Sequence, residues 1–268
     1  MIVLVSLGFI GTGNMGSAII KGVLGTKNPD IKIYAFDKDT VKLNTLTESG
    51  VTACSSEREV VEKCKYVVLA VKPQMIDTVL ETVVPAVTKD TVLISIAAGI
   101  PETYIKSMTI PEAKVILVMP NTPLLLGEGA SALSKAEPTT DEEFEFVKKI
   151  FDSCGKTAVI STDKMKEIIA INGSSPAFIY LFAKAFVDYA GSVGIDEKTA
   201  KELFAQSLVG SAKMITDSGY TIDELIKMVS SPGGTTLAGL QELYDGKMTE
   251  TVIKACESCT RRAYELSK

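Results

Sequence analysis

Up to about residue 160 the chain alternates short apolar, β-branched runs with segments whose apolar positions recur every three or four residues. The runs are Ile2–Ile10, Ile31–Phe36, Tyr66–Val71, Thr91–Ile96 and Val115–Val118, with fainter ones at Ala130–Leu133 and Thr157–Ile160. Amphipathic stretches lie between them at Met15–Leu24, Val41–Glu48, Met75–Val87 and Asp141–Phe151. Ser56-Glu57-Arg58-Glu59 fits a capping box, in which a Ser hydroxyl and a Glu carboxylate satisfy each other's backbone N–H, and so opens a further short helix. Strands apolar enough for burial on both faces, separated by helices, predict an α/β fold with a parallel, doubly wound sheet.

From about Asp163 the pattern changes to helix after helix: Ser175–Gly191, Asp196–Asp217, Thr221–Val229, Thr235–Tyr244 and Thr249–Leu266. The breaks fall at Gly194, Gly219, Pro232-Gly233-Gly234 and Gly246. The chain is therefore divided into residues 1–162, an α/β domain, and residues 163–268, an all-α domain. The first long helix of the second domain is apolar nearly all round, through Phe178, Ile179, Leu181, Phe182, Phe186 and Val187. A small domain has too little core to cover such a helix, which predicts cover by a partner subunit.

Composition narrows the function. The 46% of hydrophobic residues is enough to fill ordinary cores in 268 residues, and the net charge of −5 with scattered basic residues excludes the electrostatic footprint of a nucleic-acid binder. The apolar start lacks a basic leader and a small-residue cleavage site, so it reads as a strand rather than a signal peptide. No window reaches ~18 uninterrupted apolar residues, and a cytoplasmic location is expected. Five cysteines, an odd number, argue against a disulfide framework. Cys256 and Cys259 form a lone C-x-x-C, but with no histidine in the chain they read as two small residues on one helix face. The missing histidine also removes the commonest general acid or base.

Gly11, Gly13 and Gly16 form G-x-G-x-x-G at the end of the first strand and the start of the first helix. Each glycine has a reason: a tight turn at Gly11, close approach of a diphosphate at Gly13, and close helix–strand packing at Gly16. The diphosphate then rests on the helix N-terminus, where amides and dipole favour an anion. The second strand ends at Asp37-Lys38. An acid here bonds ribose hydroxyls and favours NAD, whereas the adjacent Lys pairs with a 2′-phosphate and favours NADP; the two signals conflict. Lys72, before Pro73 at a strand end, reads as a positioning residue rather than a catalytic one. In Met119-Pro120-Asn121-Thr122-Pro123, Asn121 either reaches the nicotinamide or belongs to a rigid turn. Asn172-Gly173-Ser174-Ser175-Pro176 and Ser230-Ser231-Pro232-Gly233-Gly234-Thr235-Thr236 both open helices with hydroxyls and free amides suited to a carboxylate.

Together these residues resemble pyrroline-5-carboxylate reductases over essentially the whole chain. The resemblance rests on the Gly11–Gly16 turn, Ala70-Val71-Lys72-Pro73-Gln74, Ala97-Ala98-Gly99, Met119 to Pro123 and, most specifically, Ser231 to Thr236 with Ala238-Gly239-Leu240. It implies a Rossmann-like domain followed by an all-α dimerisation domain, and reduction of a cyclic imine by NADPH or NADH. By position it assigns Ile10, Gly11, Thr12, Gly13, Asn14, Met15, Asp37, Val71, Lys72 and Ala98 to the coenzyme. It assigns Ser231, Gly234, Thr235 and Thr236 to the substrate, with Thr236 near the reacting nitrogen as the catalytic group. Three departures stand out: Ser175 and Phe178 in place of Gly and Tyr, Thr162 where an acid is expected, and Ser56 or Glu57 where Asn is expected. Two rival readings are a β-hydroxyacid dehydrogenase, which needs a Lys near Gly173 where none follows before Lys184, and a non-catalytic nucleotide sensor on the same fold.

Overall fold

The computed structural model describes residues 5–267, so the part of the first expected strand before Val5 lies outside it. Eight strands form one sheet in the order β3-β2-β1-β4-β5-β6-β7-β8. They are β1 (Val5–Ile10), β2 (Ile31–Phe36), β3 (Thr52–Ala53), β4 (Tyr66–Leu69), β5 (Val92–Ser95), β6 (Lys114–Met119), β7 (Gly129–Ala136) and β8 (Gly155–Val159). Strand order reverses between β1 and β4, which both pair in parallel with their neighbours. The crevice outside the carboxyl ends of strands at such a switch point is where an open α/β sheet binds ligand.

The sheet's helices are α1 (Asn14–Gly25), α2 (Thr40–Thr47), α3 (Glu57–Lys63), α4 (Ile76–Val83), α5 (Glu102–Met108) and α6 (Asp141–Asp152). Alternate strand residues feed opposite faces: Val68 and Ile94 join Ile19, Ile20, Val147 and Phe151 beneath α1 and α6. Val67, Leu69 and Leu93 join Val60, Ile76, Leu80 and Ile105 beneath α3, α4 and α5. That two-sided burial is what a continuous apolar run, rather than an alternating one, encodes.

Three expectations need correction. The sheet is not wholly parallel, because β7 runs antiparallel to β6. Only residues 120–128 join them, folded into a 3-10 turn at Thr122–Leu126 that ends on Gly127 in the left-handed region, and this is too short for a crossover helix. The capping box at Ser56 is half formed: its hydroxyl accepts from Glu59 N at 3.1 Å, but the Glu59 carboxylate accepts instead from the N–H of Ser55 at 2.6 Å. The helix expected over Met75–Val87 is shorter, since Pro85 cannot donate within it and the chain tightens into a 3-10 turn at Val84–Ala86.

Beyond β8 come α7 (Ser175–Ser192), α8 (Glu197–Asp217), α9 (Ile222–Met228), α10 (Thr235–Asp245) and α11 (Met248–Leu266). The chain divides into two compact units, one running to Ser174 and resuming at Ser258, the other Ser175–Glu257. Within Ser175–Glu257 only Pro176 and Ala190 are buried. Leu181 is 70% exposed, Tyr189 66% and Leu203 66%, so these helices lack a core of their own. Among the described residues no helix is long and apolar enough to cross a membrane.

Candidate active site

The glycine turn is built as its spacing requires. Gly11 has φ +100°, and a Cβ on it would lie 2.6 Å from the Ala70 carbonyl oxygen. A Cβ on Gly16 would lie 2.3 Å from the Gly11 oxygen, so α1 reaches the strand end only without a side chain there. At Gly13 nothing lies within 4 Å of where a Cβ would point. Gly13 is also the N-cap of α1 and offers no side-chain cap, leaving the first turn's amides to an incoming anion.

Ile10, Gly11, Gly13, Asp37, Val71 and Lys72 share one cleft of about 270 Å³ at the carboxyl ends of β1, β2 and β4. Thr12 lies between two lining residues, Gly11 and Gly13, and is bonded to a third, Asp37. It is 1% exposed, and its N–H and hydroxyl donate to Asp37 Oδ2 at 2.5 and 3.0 Å. Asp37 Oδ1 accepts from Asp39 N at 2.8 Å. Of the three lysines on the cleft, Lys42 pairs with Asp39 at 2.9 Å, and that bond holds the Asp39 carboxyl below its ordinary value. Lys38 and Lys72 are exposed and make no ion pair among the described residues. An open glycine, an uncapped helix N-terminus and a fixed carboxylate fit the diphosphate and ribose of a dinucleotide.

Other expected residues are not on the lining of this cleft. Asn14 and Met15 open α1. Ala98 lines a separate cleft of about 350 Å³ with Gly99, Ile169, Ser174, Cys259 and Arg262. A third cleft, about 500 Å³ beyond β5 and β6 and walled by Ser95, Ala97, Leu117, Met119, Thr162 and Tyr264, was not foreseen. Thr162, in place of the expected acid, bonds Ser134 Oγ across to β7 at 2.5 Å.

Asn121 belongs to the rigid turn: its Oδ1 accepts from Ala130 N at 2.8 Å. The buried Asn172, expected only as the first residue of a helix-opening segment suited to a carboxylate, instead sits in a single π-helical turn (Ile169–Gly173) and donates from Nδ2 to the carbonyls of Met119 at 2.7 Å and Ala130 at 3.1 Å. The two asparagines thus hold both backbone groups of Ala130 and tie the end of β6 to the chain entering α7.

In the helical unit, Ser231 O accepts from Gly234 N at 3.0 Å, closing a turn through Gly233 at φ +70°. Gly234 then caps α10 without a side-chain bond. Ser231, Thr235 and Thr236 are exposed, and their hydroxyls make no hydrogen bond among the described residues. The turn offers hydroxyls and amides for an anionic substrate.

Known proteins share this fold and much of this sequence. Residues 162–266 match the family model described as pyrroline-5-carboxylate reductase dimerisation, and residues 6–99 match one described as NADP oxidoreductase, coenzyme F420-dependent. The pyrroline-5-carboxylate reductase of Pisum sativum is 35% identical over 98% of this chain and 96% of its own. That of Escherichia coli is 33% identical over 98% of both. The crystal structure of the Plasmodium falciparum pyrroline carboxylate reductase with NADP bound superposes with a TM-score of 0.88 at 30% identity over 99% of both chains. That of a pyrroline-5-carboxylate reductase from Coxiella burnetii gives 0.90 at 31%, with the same coverage. With sequence likeness running the length of both units, the chain belongs to the pyrroline-5-carboxylate reductase family.

Proposed function

We propose that the protein reduces 1-pyrroline-5-carboxylate to L-proline with NAD(P)H, the last step of proline biosynthesis. The observation that carries this reading is the likeness at 33–35% identity over 98% of the chain, which spans both the Gly11–Gly16 turn and the Ser231–Thr236 turn. Residues 1–162 serve the coenzyme, and residues 163–268 serve the substrate and the contact with a second copy.

NAD(P)H, when bound, supplies the hydride. Ile10, Gly11, Thr12, Gly13, Asn14 and Met15 hold its diphosphate end, Asp37 its ribose, and Val71, Lys72 and Ala98 the path towards the nicotinamide. Ser231, Gly234 and Thr235 take the substrate carboxylate on the N-terminus of α10. A cyclic imine that enters protonated already carries the positive charge that reduction neutralises, which suits a chain without histidine. What remains for the protein is placement of the reacting atoms and exclusion of water. The Thr236 hydroxyl accepts from the ring N–H and orients the imine carbon.

The helical unit without a core fits a homo-oligomer with the dimer as its smallest form. All five cysteines are unpaired, which suits a reducing compartment, and we place the enzyme in the cytoplasm. Incubation with pyrroline-5-carboxylate and either coenzyme, followed by chromatography, tests the activity. Proline is the expected product. Turnover of a β-hydroxy acid in its place overturns the reading in favour of the dehydrogenase rival, which the ion pair of Lys184 with Asp188 within α7 already disfavours. Coenzyme binding with no turnover supports the sensor.

A further inference from the structure

Resting on the dinucleotide reading of the Gly11–Gly16 turn, we propose that Thr12 and Asp37 form a latch that makes this protein select NADH over NADPH. The conflict between Asp37 and Lys38 is settled by how firmly each is held. Three protein donors fix the Asp37 carboxylate: Thr12 N, Thr12 Oγ1 and Asp39 N. Oδ2, with two donors, is saturated, and Oδ1 keeps one lone-pair direction for a ribose hydroxyl. The carboxylate lines the cleft beside Gly11 and Gly13, so a 2′-phosphate arriving there meets a negative charge that cannot swing away without breaking those bonds. Glu57 on the same cleft adds a second negative charge.

The opposing cations are less constrained. Lys42 is engaged by Asp39, and Lys72 lies on the Val71 side of the cleft, before the Pro73 turn. Lys38 stands exposed on a flexible stem, and recruiting it to a phosphate costs side-chain freedom for a screened attraction. A fixed, half-buried like charge outweighs it. Thr12 acts through Asp37 and is a positioning residue. Its amide also belongs to the glycine turn, so the element that receives the diphosphate and the group that reads the ribose are one hydrogen-bonded unit.

The test is equilibrium binding to the full-length protein, by nicotinamide fluorescence for NADH and NADPH and by calorimetry for ADP and adenosine 2′,5′-bisphosphate. NADH is expected to bind about tenfold or more tightly than NADPH, and ADP more tightly than the 2′-phosphorylated fragment. Asp37→Ser is expected to erase or reverse the ratio, chiefly by tightening NADPH. Thr12→Val is expected to shrink the ratio and Thr12→Ser to restore it, a pattern that a purely structural role for Thr12 would not produce. NADPH binding as tightly as NADH to the wild type, or an unchanged ratio in Asp37→Ser, overturns the proposal. Binding of neither coenzyme overturns the dinucleotide reading with it, so the two failures are distinguishable.

Discussion

Thr236 and Gly16 are tested by opposite changes, one taking an atom group away and one adding it. Thr236→Ala should lower kcat/KM by about 100-fold, the loss expected when a group that orients the reacting atoms is removed. Coenzyme Kd should stay unchanged and Thr236→Ser should recover most of the loss; an unchanged kcat/KM in the Ala variant would remove Thr236 from the mechanism. Gly16→Ala forces a Cβ to 2.3 Å from the Gly11 oxygen, so α1 must move. An overpacking cost of about 1–3 kcal/mol is expected by thermal unfolding, together with weaker binding of both coenzymes. The duties of Gly11 and Gly16 were legible in the sequence because each is a local backbone demand. The Thr12 latch was not, because it joins residues 25 apart in sequence through the register that brings Gly11 N to Phe36 O at 2.9 Å.

At the scale of elements, long periodic segments read well and short ones did not. The five helices after Ser174 fall within a residue of expectation: four offer several turns of pattern, and the seven-residue α9 is bracketed by the breaks at Gly219 and Pro232. Two-residue β3 and seven-residue α5 offer too little periodicity to be recognised. Direction escaped as well, since the apolar run at β7 is the same whether the strand lies parallel or antiparallel; connection length decides it.

Glu143 shows what binds an element to the sheet. It belongs to the capping box of α6 with Thr140, and its Oε1 meets Lys114 Nζ at 2.8 Å and Lys65 Nζ at 2.9 Å with its side chain 5% exposed. Burial pushes the carboxyl up, but hydrogen bonds from Lys114 and Lys65 more than offset this and leave it below the ordinary 4.5. A lowered folded-state value means that this stabilisation is complete above that ordinary value and is lost as pH falls through the lowered one. Glu143→Gln should cost on the order of 2 kcal/mol at neutral pH and flatten the acid limb of a stability–pH curve. An unaltered acid limb would show that the cluster carries no such linkage.

For the molecule as a whole, the helical unit has almost nothing buried in a single chain, so its folding is inseparable from association. The melting temperature should rise with protein concentration. Leu181→Glu, harmless if that 70% exposed side chain faced water, should shift sedimentation towards monomer and cut activity with it. A concentration-independent Tm and an unchanged oligomer would contradict this. The apolar all-round pattern of α7 made the missing partner legible in sequence, although no pattern in one chain says which residues a second copy covers.

Direct transfer of hydride from the nicotinamide to the imine carbon is measured by isotope tracing. With NADH deuterated on the transferred face of nicotinamide C4 and unlabelled pyrroline-5-carboxylate, proline should carry one deuterium at C5 per coenzyme oxidised. Proline without label at that carbon, or coenzyme oxidised with no proline formed, would contradict it.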